Sequence, residues 1–382
     1  MADRIIAEAF PPGEFLKEEL EARGWSQLDL AEITGIHART VNEISTGKRM
    51  VTPNTASKIG EALGTGSQFW MNLEAVYQLY ILSKPTNGDI ARRAKLFEKA
   101  PVRELKKRGW IDGANDPEIL EQQLLEFFEI ESLDDEPLLW AHAARKSSSY
   151  SEVTASQWAW LFRAKKLARC VDAQKFSQAR LVEGMKSLKN CIEHPKDTRQ
   201  VARILSDCGV RLVIVEPLSG TKIDGACFWL DRFSPVAALS LRYDRIDWFW
   251  HTLMHEIGHI SRKDGLKGSS LPLDVDLIAR KSDRNERPES EIEADRLAVE
   301  FLVDQSELQD FIARTSPLYS KSKIRNFSSR VHVHPGIIVG QLQYLGEIGW
   351  RHSRDMLETV RDFVTDSTLT DGWGFIPLNE LQ

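Results

Sequence analysis

The run His255-Glu256-Ile257-Gly258-His259, set inside an apolar segment, constrains this chain more than any other feature. On a helix, two histidines four positions apart leave the same face, so their imidazoles can grip one metal ion while Glu256 lies beside the water held there. The segment from about Arg245 to Ser261 is therefore expected to be a helix, packed well enough to keep both rings in register. Catalytic zinc takes three protein ligands and keeps one position open. The stretch Glu291-Ile292-Glu293-Ala294-Asp295, on a second predicted helix starting near Glu289, offers the missing one. Glu291 and Asp295 share a face at i,i+4. We expect Glu291 to ligate Zn2+ alongside His255 and His259, and Asp295 to orient a ligating histidine by hydrogen bond. Glu293 is the alternative third ligand.

Glu256 then has the role of general base, taking a proton from water whose pKa zinc lowers toward ~7 and passing it to a leaving amine. Tyr319 and His334 are candidates for holding the oxyanion. His251, one turn before His255, reads as a helix-surface or loop-contacting residue rather than a fourth ligand.

The elements around this helix suit a small α+β domain over residues 201–382. Val210 to Val215, Cys227 to Leu230 and Val236 to Leu241 have strand character, with Gly220 and Gly225 in the loop between the first two. Residues 262–288 read as loop. Residues 86–200 read as a mainly helical middle region with no chemical motif, its Leu124, Phe127, Phe128, Trp158, Trp160, Leu161 and Phe162 serving as core. Loop signals fall at residues 85–88 and 112–117.

The first 85 residues read differently, as five helices. Phe15, Leu16 and Leu20 mark the inner face of a first helix ending near Gly24. Ser26 is a good N-cap for a second carrying Leu28, Leu30 and Ala31. Gly35 breaks the pattern before a third helix that Gly47 stops. Thr52-Pro53 opens a fourth, with Ala56, Ile59 and Leu63 inward, and an aromatic-rich fifth runs from about Phe69 to Leu82. A short helix, a glycine turn and an exposed second helix are what a helix-turn-helix needs to enter the major groove. With Val41 and Ile44 inward, Ala38, Arg39, Thr40, Asn42 and Glu43 face outward. Arg39 can reach guanine or phosphate and Asn42 can pair with adenine. Gln27, Ala38 and Thr40 complete the expected DNA-facing set, and Lys48 and Arg49 are placed for phosphate contacts. A helical bundle that binds only protein is the alternative.

Charge and cysteine content narrow the setting. A net charge of -6 argues against a chain that coats nucleic acid indiscriminately, although residues 36–60 hold four bases against one acid. The acidic block 111–140 and the basic block 141–190 read as solvated helix faces, the alternative being that the basic block assists DNA binding or docks on the acidic one. The 382 residues suit two or three domains. No membrane span or secretory signal is expected. The four cysteines form no CxxC pair and read as buried, reduced thiols, which points to the cytoplasm. The fold class expected is mainly α with an α+β part.

Two resemblances add to this reading. The stretch PPGEFLKEELEARGWSQLDLAEITGIHARTVNEISTGKRMVTPNTASKIGEALGTGSQFWMNLEAVYQL resembles the Xre-type repressors and, more closely, the HigA-type antitoxins. That resemblance implies a homodimer on operator DNA and, for an antitoxin, a partner toxin. The segments HTLMHEIGHI, ESEIEADRLAVEFLV and VHPGIIVGQLQYLGEI are similar to the ImmA/IrrE family of metallopeptidases, over roughly residues 200–350. This implies a gluzincin-like zinc endopeptidase that cleaves a helix-turn-helix repressor. Fusion of a repressor-like domain to a peptidase-like domain departs from that pattern and leaves three targets open: the chain itself, a separate repressor, or none. In the last case the metal site serves as a sensor or structural element.

Overall fold

A computed structural model describes residues 9–82, 89–113, 116–135, 137, 139, 153–266, 273–275 and 288–371. The chain divides into two compact units, residues 1–92 and 93–382. Across both, helices predominate and strands form one small mixed sheet.

In the first unit, α1 (Pro12–Arg23), α2 (Gln27–Thr34), α3 (Ala38–Ser45), α4 (Pro53–Leu63) and α5 (Ser67–Leu82) follow one another through short turns. Local chemistry sets their ends. Ser26 and Asp29 form a reciprocal capping box at α2, and Thr52 and Thr55 do the same at α4. Gly24, Gly35 and Gly64 end α1, α2 and α4 in the left-handed region, where a side chain is strained. Leu16, Leu20, Leu30, Val41, Ile44, Ile59 and Trp70 form the core. Each large apolar side chain so enclosed contributes about 1.5–3 kcal/mol. Leu28 does not join them: it is 69% exposed, because Leu30 takes the inward position of this two-turn helix.

The division between the units falls inside α6 (Asp89–Lys99), and the second unit continues from there. Next come α7 (Val102–Lys107), α8 (Pro117–Phe128), α9 (Ala155–Cys170), α10 (Gln178–Lys189) and α11 (Val201–Cys208). Strands β1 (Arg211–Ile214), β2 (Ile223–Trp229) and β3 (Pro235–Leu239) lead into α12 (Ile246–Arg262). The chain continues through β4 (Leu273–Val275), α13 (Glu289–Leu302), α14 (Gln305–Thr315), α15 (Lys321–Val331), α16 (Pro335–Leu345), α17 (Arg361–Thr365) and β5 (Leu369–Thr370). Sheet order is β4-β2-β3-β1-β5, with β1 parallel to β3 and β5, and β2 antiparallel to β3 and β4.

Strand alternation divides this sheet between two cores. Leu212, Ile214, Cys227, Trp229, Ala237 and Leu239 pack with Phe249, Trp250, Leu253 and Ile257 of α12. Val213, Phe228, Val236 and Ala238 turn the other way, onto Trp160, Leu161 and Phe162 of α9. A sheet covered on both faces explains why β2 is buried along its whole length. Ile223 joins the α9 side although Cys227 and Trp229, of the same parity, face α12. A register shift between Ile223 and Gly225 accounts for the switch.

Two loop expectations give way here. Gly225 lies inside β2 rather than in a loop, and β4 falls within the stretch 262–288. Most of that stretch, and the loop expected at 85–88, lie outside the described residues. The cysteines are free thiols, but Cys170 is exposed and only Cys191, Cys208 and Cys227 are buried. No described helix is long and apolar enough to cross a membrane.

Candidate metal centre and DNA-reading surface

Helix α12 is buried along most of its length because the sheet covers one side and α13 and α16 press on others. Gly258, inside the histidine motif, permits the close approach of α13: a Cβ there would lie 2.9 Å from Ala294 Cα. That approach brings Glu291, in the first turn of α13, up to the histidines. One donor atom from each of His255, His259 and Glu291 lies within 4.8 Å of the others. Among the described residues no other group of ligating side chains converges in this way.

The two Nε2 atoms are 3.0 Å apart, and Glu291 presents Oε2 3.5 Å from His255 Nε2 and Oε1 3.5 Å from His259 Nε2. Behind the rings stand two more carboxylates. Asp295 Oδ1 is 2.8 Å from His255 Nδ1, and Asp264 Oδ2 is 2.9 Å from His259 Nδ1. A carboxylate beside Nδ1 draws the ring proton to that nitrogen, so both Nε2 lone pairs face inward. Two such lone pairs and a carboxylate, all buried, repel one another, and a cation relieves that repulsion. Two imidazole nitrogens and one carboxylate also match the donor set of catalytic zinc.

Glu256 is buried on the sheet side of α12. Its place there depends on Gly225, since a Cβ at that strand position would come within 2.5 Å of Glu256 Oε1. Cys227, two residues further along β2, is fully enclosed. Burial pushes its thiol well above the usual range, and the charges of Glu256 and Asp264 add to the effect.

Other candidates are committed elsewhere. Glu293 pairs with Arg296 at 2.6 Å and is not among the side chains that converge on the histidines. Tyr319 donates to Glu347 Oε2 at 2.6 Å, and burial, then that bond, pushes its phenol up to about 12. His334 caps α16, accepting from the Gly336 N–H at 3.1 Å, with Glu358 Oε1 3.2 Å from its other nitrogen. Burial lowers its pKa despite Glu358. Neither Tyr319 nor His334 is therefore brought to the histidine pair. His251 is half-buried, its ring 6.4 Å from that of His255 and 6.3 Å from that of Tyr344.

Asp264 is the residue that sequence reasoning missed. It follows Lys263, which ends α12 in the left-handed region and turns the chain back toward His259. Trp229 Nε1 donates to the Asp264 carbonyl at 2.8 Å, fixing that turn to β2. One signal was available: an acid at a helix C-terminus opposes the helix dipole, so it needs another reason to be there.

In the first unit, α2 and α3 join through the Gly35 turn. Val41 and Ile44 are buried and anchor α3, which leaves its other face outward. Gln27, Leu28, Ala38, Arg39, Asn42, Glu43 and Lys48 line a shallow depression. Arg39 and Asn42 are exposed on it, and Lys48 is exposed just beyond α3. Thr40 lies instead beside Arg49, whose Nη1 is 3.4 Å from its hydroxyl.

Residues 16–70 match the helix-turn-helix family. The chain is similar to an uncharacterized HTH-type transcriptional regulator, YddM, of Escherichia coli: 29% identical over 82 residues, 22% of this chain and 87% of that protein. It is 38% identical over 69 residues to antitoxin HigA-1 of Vibrio cholerae, covering 18% of this chain and 65% of the antitoxin. A solved structure of an addiction module antidote protein of a HigA family from Coxiella burnetii is 32% identical. That match covers 22% of this chain and 92% of the antidote protein, with a TM-score of 0.21.

Proposed function

We propose that this chain, whose residues 16–70 match the helix-turn-helix family, is a DNA-binding transcriptional regulator of antitoxin type whose second unit carries a zinc-dependent endopeptidase-like site. The convergence of His255, His259 and Glu291 carries the peptidase part of this reading. These three residues would hold Zn2+, which when bound polarises a scissile carbonyl and acidifies water. Asp295 and Asp264 keep the two imidazoles in the tautomer that ligates. Glu256, buried against the sheet at Gly225, would accept a proton from water at its carboxylate and return it to the leaving amine.

The regulator part rests on the exposed face of α3 and its flanking cations. Arg39 and Asn42 read base edges and Lys48 binds phosphate, while Arg49, beside Glu43, adds a phosphate contact only on the operator. The chain works as a homodimer, pairing two such helices with successive major grooves of a two-fold operator. The peptidase substrate is a helix-turn-helix protein, either a separate repressor or this chain.

The likeness to HigA-1 favours a second reading. In it the protein is an antitoxin that binds DNA and a partner toxin, and the zinc site is a sensor or structural element. One experiment separates the two. Wild type and Glu256→Gln are incubated with host lysate, and new peptide termini are compared by mass spectrometry. Under the first reading wild type generates termini that Glu256→Gln does not. Identical termini would sink the peptidase role and favour the second reading.

A further inference from the structure

The face that reads DNA carries an acid at its centre. Glu43 lies one turn after Arg39 on α3, and both of its carboxylate oxygens are engaged. Arg39 Nε donates to Oε1 at 2.8 Å, and Arg49 Nη1 donates to Oε2 at 3.2 Å. The Arg39 bond is the larger influence holding the Glu43 carboxyl below its usual range. Glu43 engages Arg39 through Nε alone, and the Arg39 side chain is 84% exposed, which leaves its two Nη groups available to a ligand. Glu43 also lines the depression formed by Gln27, Ala38, Asn42 and Lys48.

An acid here looks at first like a defect, because it sits where a polyanion must approach and offsets part of the charge of Arg39, Lys48 and Arg49. Its cost is not the same for every DNA sequence. A guanidinium free to swing satisfies itself on any phosphate, whereas one fixed by Nε presents its remaining donors in one direction. That direction suits paired acceptors such as O6 and N7 of guanine. Where no such pair is present, the carboxylate still repels the backbone and still holds the two arginines away from phosphates. Discrimination then comes from a penalty on wrong sequences as well as a gain on right ones.

We infer that Glu43 is a positioning residue for sequence specificity, holding Arg39 as a fork for a guanine edge and withholding Arg39 and Arg49 from indiscriminate phosphate contact. This rests on the regulator reading above. It assigns the ligand as duplex DNA with a guanine opposite Arg39, and it gives Glu43 no direct base contact.

Binding of full-length wild type and Glu43→Gln is measured across a salt series. The probes are duplexes selected by wild type from a random pool, and unselected duplexes of the same length. Glu43→Gln should raise affinity for unselected DNA about fivefold at low salt, the scale expected from releasing two exposed ion pairs. Its log–log salt slope on that DNA should steepen by about one, as a freed cation reaches a phosphate. The preference for selected over unselected DNA should fall. In an Arg39→Ala background the same substitution should change that preference less than about twofold. Unchanged preference and slope in Glu43→Gln, or equal weakening on both DNAs with the wild-type melting curve retained, would overturn the inference while leaving the regulator reading intact. Wild type that enriches no sequence from the pool would overturn the regulator reading and the inference with it.

Discussion

Each histidine of the candidate metal centre is backed by its own acid, and the two acids arrive by different routes. Asp295 comes from α13, one turn beyond Glu291, so a single helix supplies both the carboxylate proposed as a ligand and the hydrogen-bond partner of His255. Asp264 comes from the turn that ends α12 and serves His259. If both acids fix ring orientation and tautomer, Asp264→Asn and Asp295→Asn should each weaken zinc binding about 10- to 100-fold. Competition against a chromophoric chelator measures this, and a variant with wild-type zinc affinity would show that its carboxylate does not orient the ligand. Asp295 was legible because i,i+4 spacing survives from sequence to structure. Asp264 was not, because helical periodicity stops at Arg262 and the left-handed Lys263 decides where the chain goes next. Tyr319 and His334 could not be judged from sequence either. Their fates are set by Glu347 and Glu358, partners 28 and 24 residues away that only the fold brings near.

Between elements, the centre exists because α12 and α13 pack closely at one small residue. Gly258→Ala tests this, and its sign is informative. At an exposed helix interior the change from glycine to alanine gains up to ~1 kcal/mol from helix propensity. Here the added Cβ would meet the α13 backbone at Ala294 Cα, 2.9 Å away, so the helices must part. The substitution should instead destabilise the fold by about 1–3 kcal/mol in urea unfolding, the range for overpacking. A stabilised variant would contradict the packing argument. The same scale shows where periodicity helped and where it failed. The segments expected as β1, β3, α12 and α13 appear within a residue or two, because their apolar patterns are clean. The first half of β2 was read as loop because glycine in a strand resembles a turn signal. Gly225 is in fact the strand position that leaves room for Glu256, and the register shift beside it blurs the alternation. Leu28 failed for the opposite reason: an eight-residue helix has too few turns for hydrophobicity to fix its inner face.

At the scale of the molecule, the two units have separate cores. Leu16, Leu30, Val41 and Trp70 enclose the first, while the sheet and its two helical covers build the second. Similarity to known proteins falls on the helix-turn-helix part, where an exposed helix and a few cations suffice for function. The net charge of -6 fits a protein that binds DNA through one local patch rather than its whole surface. The second unit makes the stronger chemical claim, because Glu291 follows His259 by 32 residues in the chain and reaches the histidine pair only through the packing of α13 on α12. Elemental analysis by inductively coupled plasma mass spectrometry tests that claim most directly. Wild type loaded with zinc and then desalted should retain about one zinc per chain, the stoichiometry of a single three-ligand site. His255→Ala/His259→Ala treated identically should retain almost none. Wild type that keeps no zinc after loading, or a double variant that keeps as much as wild type, would contradict the account.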